Sequence, residues 1–341
     1  MGAEGKQAKQ GGGRVVVITG ASAGVGRATA REFARRGDRI ALLARGKRGL
    51  EGAIADVVAN GGEAIAVPTD VAAFDQVSDA AALVERSLGP IDIWVNNAMT
   101  TVFAPFDRIG PDEYRRATEV TYLGTVHGTM AALSRMKPRD RGSIVQVGSA
   151  LAHRAIPLQA PYCGAKHAIR GFTDSVRCEL RHDGSKVRLT MVQLPALNTP
   201  QFDQCRTYLP GHPQPVPPIY QPEVAASAIA WAAEANRREV VVSASALKAI
   251  LGNKVAPVLA ERYLARTAYS AQQADGLEDG HRDNLFEAVD DADDLGARGA
   301  FDDEARSRSP LEWLNQHRGL IAGAGSAAAA LAAGIALRER A

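Results

Sequence analysis

The sequence is poor in cysteine, in aromatic residues and in net charge. Its three cysteines are Cys163, Cys178 and Cys205, and aromatic residues make up 5% of the 341 positions. Three scattered cysteines suit a reducing cytoplasm rather than a disulfide framework, and without a C-x-x-C pair we expect no metal site. Forty Lys and Arg residues nearly balance 38 Asp and Glu residues. We therefore expect no nucleic-acid partner, because such binding needs a basic surface.

A long apolar segment is also missing from the start of the chain. Residues 1–13 are polar and glycine-rich, without the apolar core of a signal peptide, so we expect a flexible N-terminal tail and a cytoplasmic location. One uncharged run, 319–337, is dominated by Ala and Gly. As a helix it would span about 28 Å, just short of the ~30 Å hydrocarbon core. A membrane anchor is the favoured interpretation; docking on another helix or subunit, and a mobile tail, are the alternatives.

Short apolar runs alternate with helix-length segments from residue 15 onward. The runs are almost continuously apolar, as in strands covered on both faces, and they occur at 15–19, 40–44, 64–68, 91–96, 143–147, 187–194 and 239–242. Helix-length segments lie between them, at 24–36, 47–60, 75–88, 112–137, 162–183 and 222–236. This alternation predicts an α/β fold with a single doubly wound, parallel seven-stranded sheet of Rossmann type.

A glycine-rich turn joins the first strand to the first helix. It reads TGASAGVG over 19–26, which places glycines at Gly20, Gly24 and Gly26. Glycine permits positive φ and close approach of a pyrophosphate to the main chain, and the helix N-terminus beyond it attracts anions. The spacing is not the G-x-G-x-x-G of long-chain dehydrogenases, and the Lys and Ser or Thr of a P-loop are absent. The turn predicts a site for the phosphates of a dinucleotide.

Tyr162 and Lys166 are four residues apart at the start of a predicted helix, so they share a face of it. A phenol with a pKa near 10 is a poor base at neutral pH, but a neighbouring ammonium and a cationic nicotinamide ring favour the phenolate. Taken alone, such a tyrosine is more often an ordinary core residue.

Together these motifs resemble the short-chain dehydrogenase/reductase family over residues 14–245. Its markers occur in order, as TGASAGVG, Asp70-Val71, Asn96-Asn97-Ala98, Ser149 and Tyr162-Cys163-Gly164-Ala165-Lys166. The resemblance implies an oxidoreductase that transfers hydride between a nicotinamide cofactor and a small carbonyl or alcohol substrate. It also implies a homodimer or homotetramer assembled through helices such as 112–137 and 162–183.

The resemblance further assigns a role to each marker. Tyr162 exchanges a proton with the substrate oxygen, Lys166 lowers the pKa of Tyr162 and holds the nicotinamide ribose, and Ser149 binds the carbonyl. Asp70 bonds the adenine amino group. The other implied cofactor contacts are Gly20, Ser22, Gly24, Val25, Gly26, Arg45, Val71, Asn97, Ala98 and Thr199.

The end of the second strand bears on the choice between NAD(H) and NADP(H). It reads Leu43-Ala44-Arg45 and lacks the acidic residue that binds the ribose hydroxyls in many NAD users. A carboxylate would repel a 2′-phosphate, whereas a guanidinium can hold it through two hydrogen bonds. We therefore expect Arg45 to favour NADP(H), with NAD(H) as the less preferred cofactor.

Two residues depart from the family pattern. Thr121 stands where the family usually has an Asn that holds a water of the proton relay, and we expect it to serve a rearranged or weaker relay. Met99 replaces the glycine of the motif NNAG. These departures motivate an alternative function, that of a catalytically weak or inactive NADP-binding scaffold or sensor.

A proline-rich stretch, 200–222, follows the sixth strand at the edge of the sheet where ligands bind. Its aromatic and aliphatic residues predict an apolar pocket wall and an apolar substrate, the alternative being a rigid surface loop. The alternation of strands and helices ends after residue 242. We therefore predict a tail at 1–13, an NADP-binding catalytic domain at 14–255, a helical and acidic loop extension at 256–318 and the candidate anchor helix at 319–337.

Overall fold

A parallel sheet of seven strands forms the centre of the molecule. The computed structural model describes residues 13–274, 276 and 282–318, so nearly all of the predicted tail and the whole candidate anchor at 319–337 lie outside the described residues. The strands are β1 (Val15–Thr19), β2 (Arg39–Ala44), β3 (Glu63–Pro68), β4 (Ile91–Asn96), β5 (Ser143–Ser149), β6 (Arg188–Leu194) and β7 (Glu239–Val241). Their order is β7-β6-β5-β4-β1-β2-β3, and each pairing is parallel. The predicted fold class is confirmed.

Helices connect the strands and cover both faces of the sheet. They are α1 (Gly24–Ala34), α2 (Lys47–Ala59), α3 (Phe74–Leu88), α4 (Pro111–Thr118), α5 (Gly124–Met136), α6 (Ala160–His182), α7 (Gln201–Gln204), α8 (Pro222–Glu234), α9 (Ala244–Val255), α10 (Pro257–Ala271) and α11 (Pro310–Gln316). Two-residue strands at Val102–Phe103, Arg206–Thr207, His212–Pro213 and Gln273–Ala274 form two small pairs outside the main sheet.

Side chains of β1 alternate between two hydrophobic cores. Val16 and Ile18 join a core that also contains residues of α1, α2 and α8, whereas Val15 and Val17 join one formed with α3 and α5. All four side chains are fully buried. Burial on both faces is the reason why this strand is apolar throughout instead of alternating with polar residues.

The helix predicted over 112–137 is interrupted by a π turn. Helix α4 ends at Thr118, the π turn covers Glu119–Leu123, and α5 begins at Gly124. A π turn inserts one extra residue and rotates the side chains that follow. Here it turns the Thr121 side chain toward the segment that follows β4.

Two successive helices follow β7 in the chain. Helix α9 ends at Val255, and α10 begins at Pro257. Proline lacks the N–H that would continue a helix, but it fits the first turn of a new one. The break at Pro257 thus has a local cause that is visible in the sequence.

The chain beyond residue 281 returns to the sheet. Ser309 Oγ donates to the Val242 carbonyl at 2.5 Å, and Asn315 Nδ2 donates to the Val241 carbonyl at 2.9 Å. These bonds fix α11 beside β7, where it also contacts α8. Among the described residues, no helix combines the length and apolarity needed to cross a membrane.

A buried polar network lies beneath the end of β4. Trp94 Nε1 donates to Asn96 Oδ1 at 2.8 Å, and Asn96 Nδ2 donates to Gln146 Oε1 at 2.9 Å and Thr129 Oγ1 at 3.1 Å. All four residues are almost wholly buried. Their mutual hydrogen bonds remove the cost of burying polar atoms and fix the position at which β4 leaves the sheet.

We predict that Asn96→Leu lowers the free energy of unfolding by roughly 2–4 kcal/mol, because Trp94, Thr129 and Gln146 each lose a buried partner. Urea denaturation followed by circular dichroism measures the change. Gly171→Ala in α6 is the control, since a Cβ there meets nothing within 4 Å, and it should leave stability equal or slightly higher. A loss below about 1 kcal/mol in Asn96→Leu would contradict the network's role.

Candidate active site

The glycine-rich turn forms a close-packed cradle at the carboxyl end of β1. Gly20 and Gly24 adopt φ values of +64° and +56°, a conformation that other residues rarely adopt. A Cβ at Gly26 would overlap the Gly20 carbonyl and lie 2.7 Å from Asn97 Nδ2. Helix α1 then begins without a capping side chain, which leaves the amide of Val25 at a positive helix terminus suited to an anion.

Residues from the end of β4 hold this turn in place. Asn97 Nδ2 donates to the Thr19 carbonyl at 2.9 Å and to the Gly20 carbonyl at 3.2 Å. The amides of Asn97 and Ala98 donate to Thr19 Oγ1 at 2.9 and 3.0 Å. The two markers that the sequence analysis singled out, TGASAGVG and NNAM, therefore meet at the point where the strand order reverses, which is where open α/β sheets bind ligands.

Two adjoining cavities open along this edge of the sheet. The smaller, of about 160 Å³, is lined by most of the predicted cofactor residues, namely Gly20, Ser22, Gly24, Val25, Arg45, Asp70, Val71, Asn97, Ala98 and Thr199. The larger, of about 340 Å³, is lined by the catalytic candidates Ser149, Tyr162 and Lys166. Met99 and Thr199 line both cavities. The two therefore form one continuous cleft.

The wall of the larger cavity is mainly apolar. Its lining includes Val147 and Leu194 from the sheet, and Val216 and the prolines around it from the stretch 200–222. Helix α10 contributes Tyr263 and Leu264, residues that the sequence analysis did not assign to a site. No motif marks them, because their place in the cavity depends on how the extension folds back.

Tyr162 stands on the first turn of α6 and reaches the cavity wall. Burial raises the pKa of its phenol to about 12, against the opposing effect of a hydrogen bond with Ser149. Ser149 is held in turn, because its Oγ accepts the amide N–H of Leu151 at 3.1 Å. At neutral pH the phenol therefore keeps its proton and can donate it.

Lys166 lies one helical turn beyond Tyr162 and is almost completely buried. Its Nζ donates to the Val147 carbonyl at 2.7 Å and lies 5.4 Å from the centre of the Tyr162 ring. Burial lowers the pKa of this ammonium to about 8. Because it stays mostly protonated at neutral pH, its charge favours the phenolate form of the neighbouring ring.

Thr121 is buried, and both hydrogen bonds of its hydroxyl go to one residue. Its Oγ1 donates to the Thr100 carbonyl at 2.8 Å and accepts the Thr100 N–H at 3.0 Å. Thr121 is not among the lining residues of either cavity. Its hydroxyl fixes the segment that carries Met99 along the cleft, so Thr121 acts on the site through the main chain.

Asp70 follows β3 and lines the smaller cavity. Its Oδ2 accepts a hydrogen bond from Arg116 at 2.6 Å, and its Oδ1 accepts the N–H of Ala72 at 3.0 Å. Burial alone would raise the pKa of this carboxyl, but these bonds and the charges of Arg116 and Arg45 hold it below its usual value. Asp70 is therefore an ionised acceptor at the edge of the cleft.

A segment of the extension, residues 282–299, crosses the smaller cavity and is called the C-terminal strap below. Asn284 and Asp290 of the strap line that cavity. Asn284 Oδ1 accepts a hydrogen bond from Thr100 Oγ1 at 2.8 Å, and the Gly296 carbonyl accepts the N–H of Gly24 at 3.0 Å. Sequence reasoning missed these residues, since the acidic run gave no sign of its place in the fold.

The guanidinium of Arg45, predicted to hold a 2′-phosphate, is bonded to the strap. It donates to the Phe286 carbonyl at 2.8 Å, to the Glu287 carbonyl at 3.4 Å and to the Asn284 carbonyl. Burial and the charge of Arg116 lower the pKa of Arg45. The cation thus holds the strap against the end of β2.

The sequence is similar to those of known proteins. A family model described as short chain dehydrogenase matches residues 14–208. YxnA of Bacillus subtilis strain 168, described as an uncharacterized oxidoreductase, is 31% identical over 266 residues, which cover 77% of this chain and 74% of that protein. Uncharacterized oxidoreductases of Mycobacterium bovis and Mycobacterium tuberculosis are also similar to this chain, over 58% of their own length.

Solved structures show the same fold. A short chain dehydrogenase/reductase from Burkholderia phymatum, solved in complex with NAD, superposes with a TM-score of 0.66 at 21% identity, over 78% of this chain and 98% of that one. A metagenomic short-chain oxidoreductase in complex with NADP gives 0.56 at 27% identity, over 67% and 96%.

The parallel sheet, the glycine-rich turn and the Tyr-Lys pair at one edge define an oxidoreductase domain of Rossmann type. The chain belongs to the short-chain dehydrogenase family.

We predict that Thr121→Val loosens the segment after β4, because the N–H and the carbonyl of Thr100 both lose their hydrogen bonds to the Thr121 hydroxyl. Hydrogen–deuterium exchange of peptides covering 97–103 should be faster by about ten-fold or more. A ten-fold change corresponds to a decrease of about 1.4 kcal/mol in the free energy of opening this segment. Thr121→Ser keeps the hydroxyl and serves as the control. Equal exchange in Thr121→Val and the wild type would show that these bonds do not order the segment.

Proposed function

We propose that the chain catalyses hydride transfer between a nicotinamide dinucleotide and a carbonyl or alcohol carbon. The observation that carries the proposal is the convergence of Ser149, Tyr162 and Lys166 on an apolar cavity that continues into the glycine-lined cleft. An acid–base residue beside a substrate-sized cavity and a dinucleotide cradle is the arrangement that such a reaction requires.

The cradle fits a dinucleotide on its own geometry. Gly20 and Gly24 take positive φ values, and the amide of Val25 stands at a helix start that has no capping side chain. Asn97 and Thr199 line the passage toward the larger cavity, and solved relatives hold NAD or NADP. When bound, the nicotinamide ring supplies or accepts the hydride.

The residues of the larger cavity would handle the proton. In reduction, Ser149 holds the carbonyl oxygen and Tyr162 donates its phenolic proton to that oxygen as negative charge develops there. The Lys166 ammonium stabilises the phenolate that remains. In oxidation the phenolate accepts the proton from the alcohol. Thr121 contributes as a positioning residue, through its two bonds to Thr100.

The lining of the cavity supports an apolar substrate. Leu151, Ile156 and Phe202 line a space of about 340 Å³, and Ser149 and Tyr162 line the same space. Pockets of this kind bind the apolar body of a ligand and orient it through a few polar groups. A hydrophobic ketone, aldehyde or alcohol is the substrate class we propose.

The sequence-based prediction of NADP(H) over NAD(H) depends on Arg45. Arg45 supports it, since a guanidinium stands at the end of β2 where many NAD users have a carboxylate. The solved relatives favour neither cofactor, because one of them holds NAD and another holds NADP. The hydrogen bonds of Arg45 to carbonyls of the strap occupy the donors that a 2′-phosphate would need.

Assembly and location are also proposals. A homodimer or homotetramer would use α5 and α6, and Met130 on α5 is a half-exposed apolar side chain. A cytoplasmic location agrees with the three cysteines, which form no disulfide with one another among the described residues. Attachment to a membrane through 319–337 concerns residues that the structure does not describe.

The alternative of a scaffold or sensor without turnover rests on Thr121 and Met99. Met99 lies between the two cavities, where a larger side chain could restrict the nicotinamide end. Binding of NADH or NADPH without oxidation by any carbonyl in a broad panel would favour this alternative over an enzyme.

We predict that Tyr162→Phe lowers kcat for carbonyl reduction by about 10²–10⁴-fold, because the phenolic proton is lost. The dissociation constant of the cofactor, measured by fluorescence titration, should change by less than about threefold, since the ring remains. Tyr269→Phe is the control, because Tyr269 is half exposed and lines neither cavity. Activity of Tyr162→Phe near that of the wild type would refute the assignment of the proton donor.

We predict opposite pH dependences for the two directions. Reduction needs the protonated phenol, so its rate should be constant near neutral pH and fall as the pH rises through the pKa of Tyr162, which burial raises to about 12 in the free site. Oxidation needs the phenolate, so its rate should rise with pH over the same range. Initial rates in both directions across an alkaline pH series test this, and parallel profiles would contradict it.

A further inference from the structure

The strap places the carboxylate of Asp290 beside the end of β2, where the strand itself has no acidic residue. Asp290 is 8% exposed, and its carboxylate lies over the turn that joins β2 to α2. A Cβ at Gly49 would come within 2.6 Å of Asp290 Oδ2, and a Cβ at Gly46 would overlap Oδ1. The absence of side chains at these two positions is what makes room for the carboxylate.

The same carboxylate borders the first turn of the cofactor cradle. Gly49 packs against Ser22 as well as against Asp290, and Ser22, Arg45 and Asp290 all line the smaller cavity. Asp290 therefore stands at the junction of the β1 and β2 turns. In a cofactor bound along the cleft, this junction faces the ribose that carries adenine.

The strap also occupies the groups that could attract a 2′-phosphate. Asp291 Oδ1 accepts the N–H of Lys47 at 2.9 Å, so a carboxylate already neutralises the N-terminus of α2. Carbonyls of the strap hold the guanidinium of Arg45. A phosphate at this position would have to compete with the strap for the donors of both groups, and it would meet the negative charge of Asp290.

The ribose hydroxyls of NAD(H), unlike a 2′-phosphate, would interact favourably with the Asp290 carboxylate. Each can donate a hydrogen bond to an ionised carboxylate, and such charge-assisted bonds are stronger than neutral ones. Lys47 and Arg48 lie on the exposed start of α2, where salt screens their attraction for a phosphate. Asp290 thus supplies a negative charge on the cavity wall, beside an Arg45 guanidinium whose donors are engaged by the strap.

We infer that Asp290, brought to the cleft by the C-terminal strap, is the specificity-determining residue that selects NAD(H) over NADP(H). The inference rests on the proposed function, and it replaces the NADP(H) preference predicted from Arg45. In this chain the acidic residue comes from the extension, about 245 positions after β2, instead of from the end of that strand.

Fluorescence titration with NADH and NADPH tests the inference. The wild type should bind NADH more tightly than NADPH, and Asp290→Asn should shift the ratio of dissociation constants toward NADPH by about ten-fold or more. The matched control is Asp293→Asn, which removes the same charge from an exposed position of the strap. It should change the ratio by less than about twofold.

A second measurement uses the unmodified protein, so that it holds even if Asp290→Asn fails to fold. 5′-AMP should displace bound NADH at a lower concentration than 2′,5′-ADP, which carries the additional phosphate. Stronger displacement by 2′,5′-ADP, or an Asp290→Asn ratio equal to that of the wild type, would overturn the role of Asp290. If the wild type bound neither NADH nor NADPH, the proposed function itself would fail.

Discussion

Thr19 and Asn97 join the carboxyl ends of β1 and β4, and the whole cleft depends on this joint. The Thr19 hydroxyl accepts two main-chain N–H groups from the end of β4, while the Asn97 amide spans two carbonyls of the glycine-rich turn. Only glycine fits at Gly26, where the turn and the amide meet. Because the joint fixes both sides of the cleft, the start of α1 and the wall at Met99 have defined positions relative to each other.

Local signals were enough for the sheet and for most of the cradle. Strands covered on both faces leave continuous apolar runs, and the glycine pattern marks a turn that other residues cannot adopt. The π turn at Glu119–Leu123 left no such signal, since helical periodicity continues across it, and the bond from Thr121 to Thr100 joins segments that no motif connects. The strap was unpredictable for a stronger reason. Arg45 and Asn284 are 239 positions apart, and nothing in either segment identifies the other.

The catalytic candidates share a low-polarity environment that acts on them in opposite directions. Burial disfavours charge, so it raises the pKa of Tyr162 to about 12 and lowers that of Lys166 to about 8. The free site therefore keeps a neutral phenol beside a weakly held ammonium proton. Hydrogen bonds from Lys166 to Val147 and from Leu151 to Ser149 hold the polar groups in place before any ligand arrives. Such preorganisation reduces the rearrangement that the reaction would otherwise require.

The strap is fastened to the rest of the molecule by polar contacts and by two buried apolar side chains, Leu285 and Ala297. Gly24 bonds to Gly296, Arg27 forms an ion pair with Asp294, and Arg45 bonds to the carbonyls near Phe286. Segments attached in this way open at a lower free energy than the strands beneath them. The consequence is kinetic. A molecule seated beneath the strap leaves at a rate governed by the detachment of these few bonds, while the sheet stays folded, so residence time and global stability are separate properties of this protein.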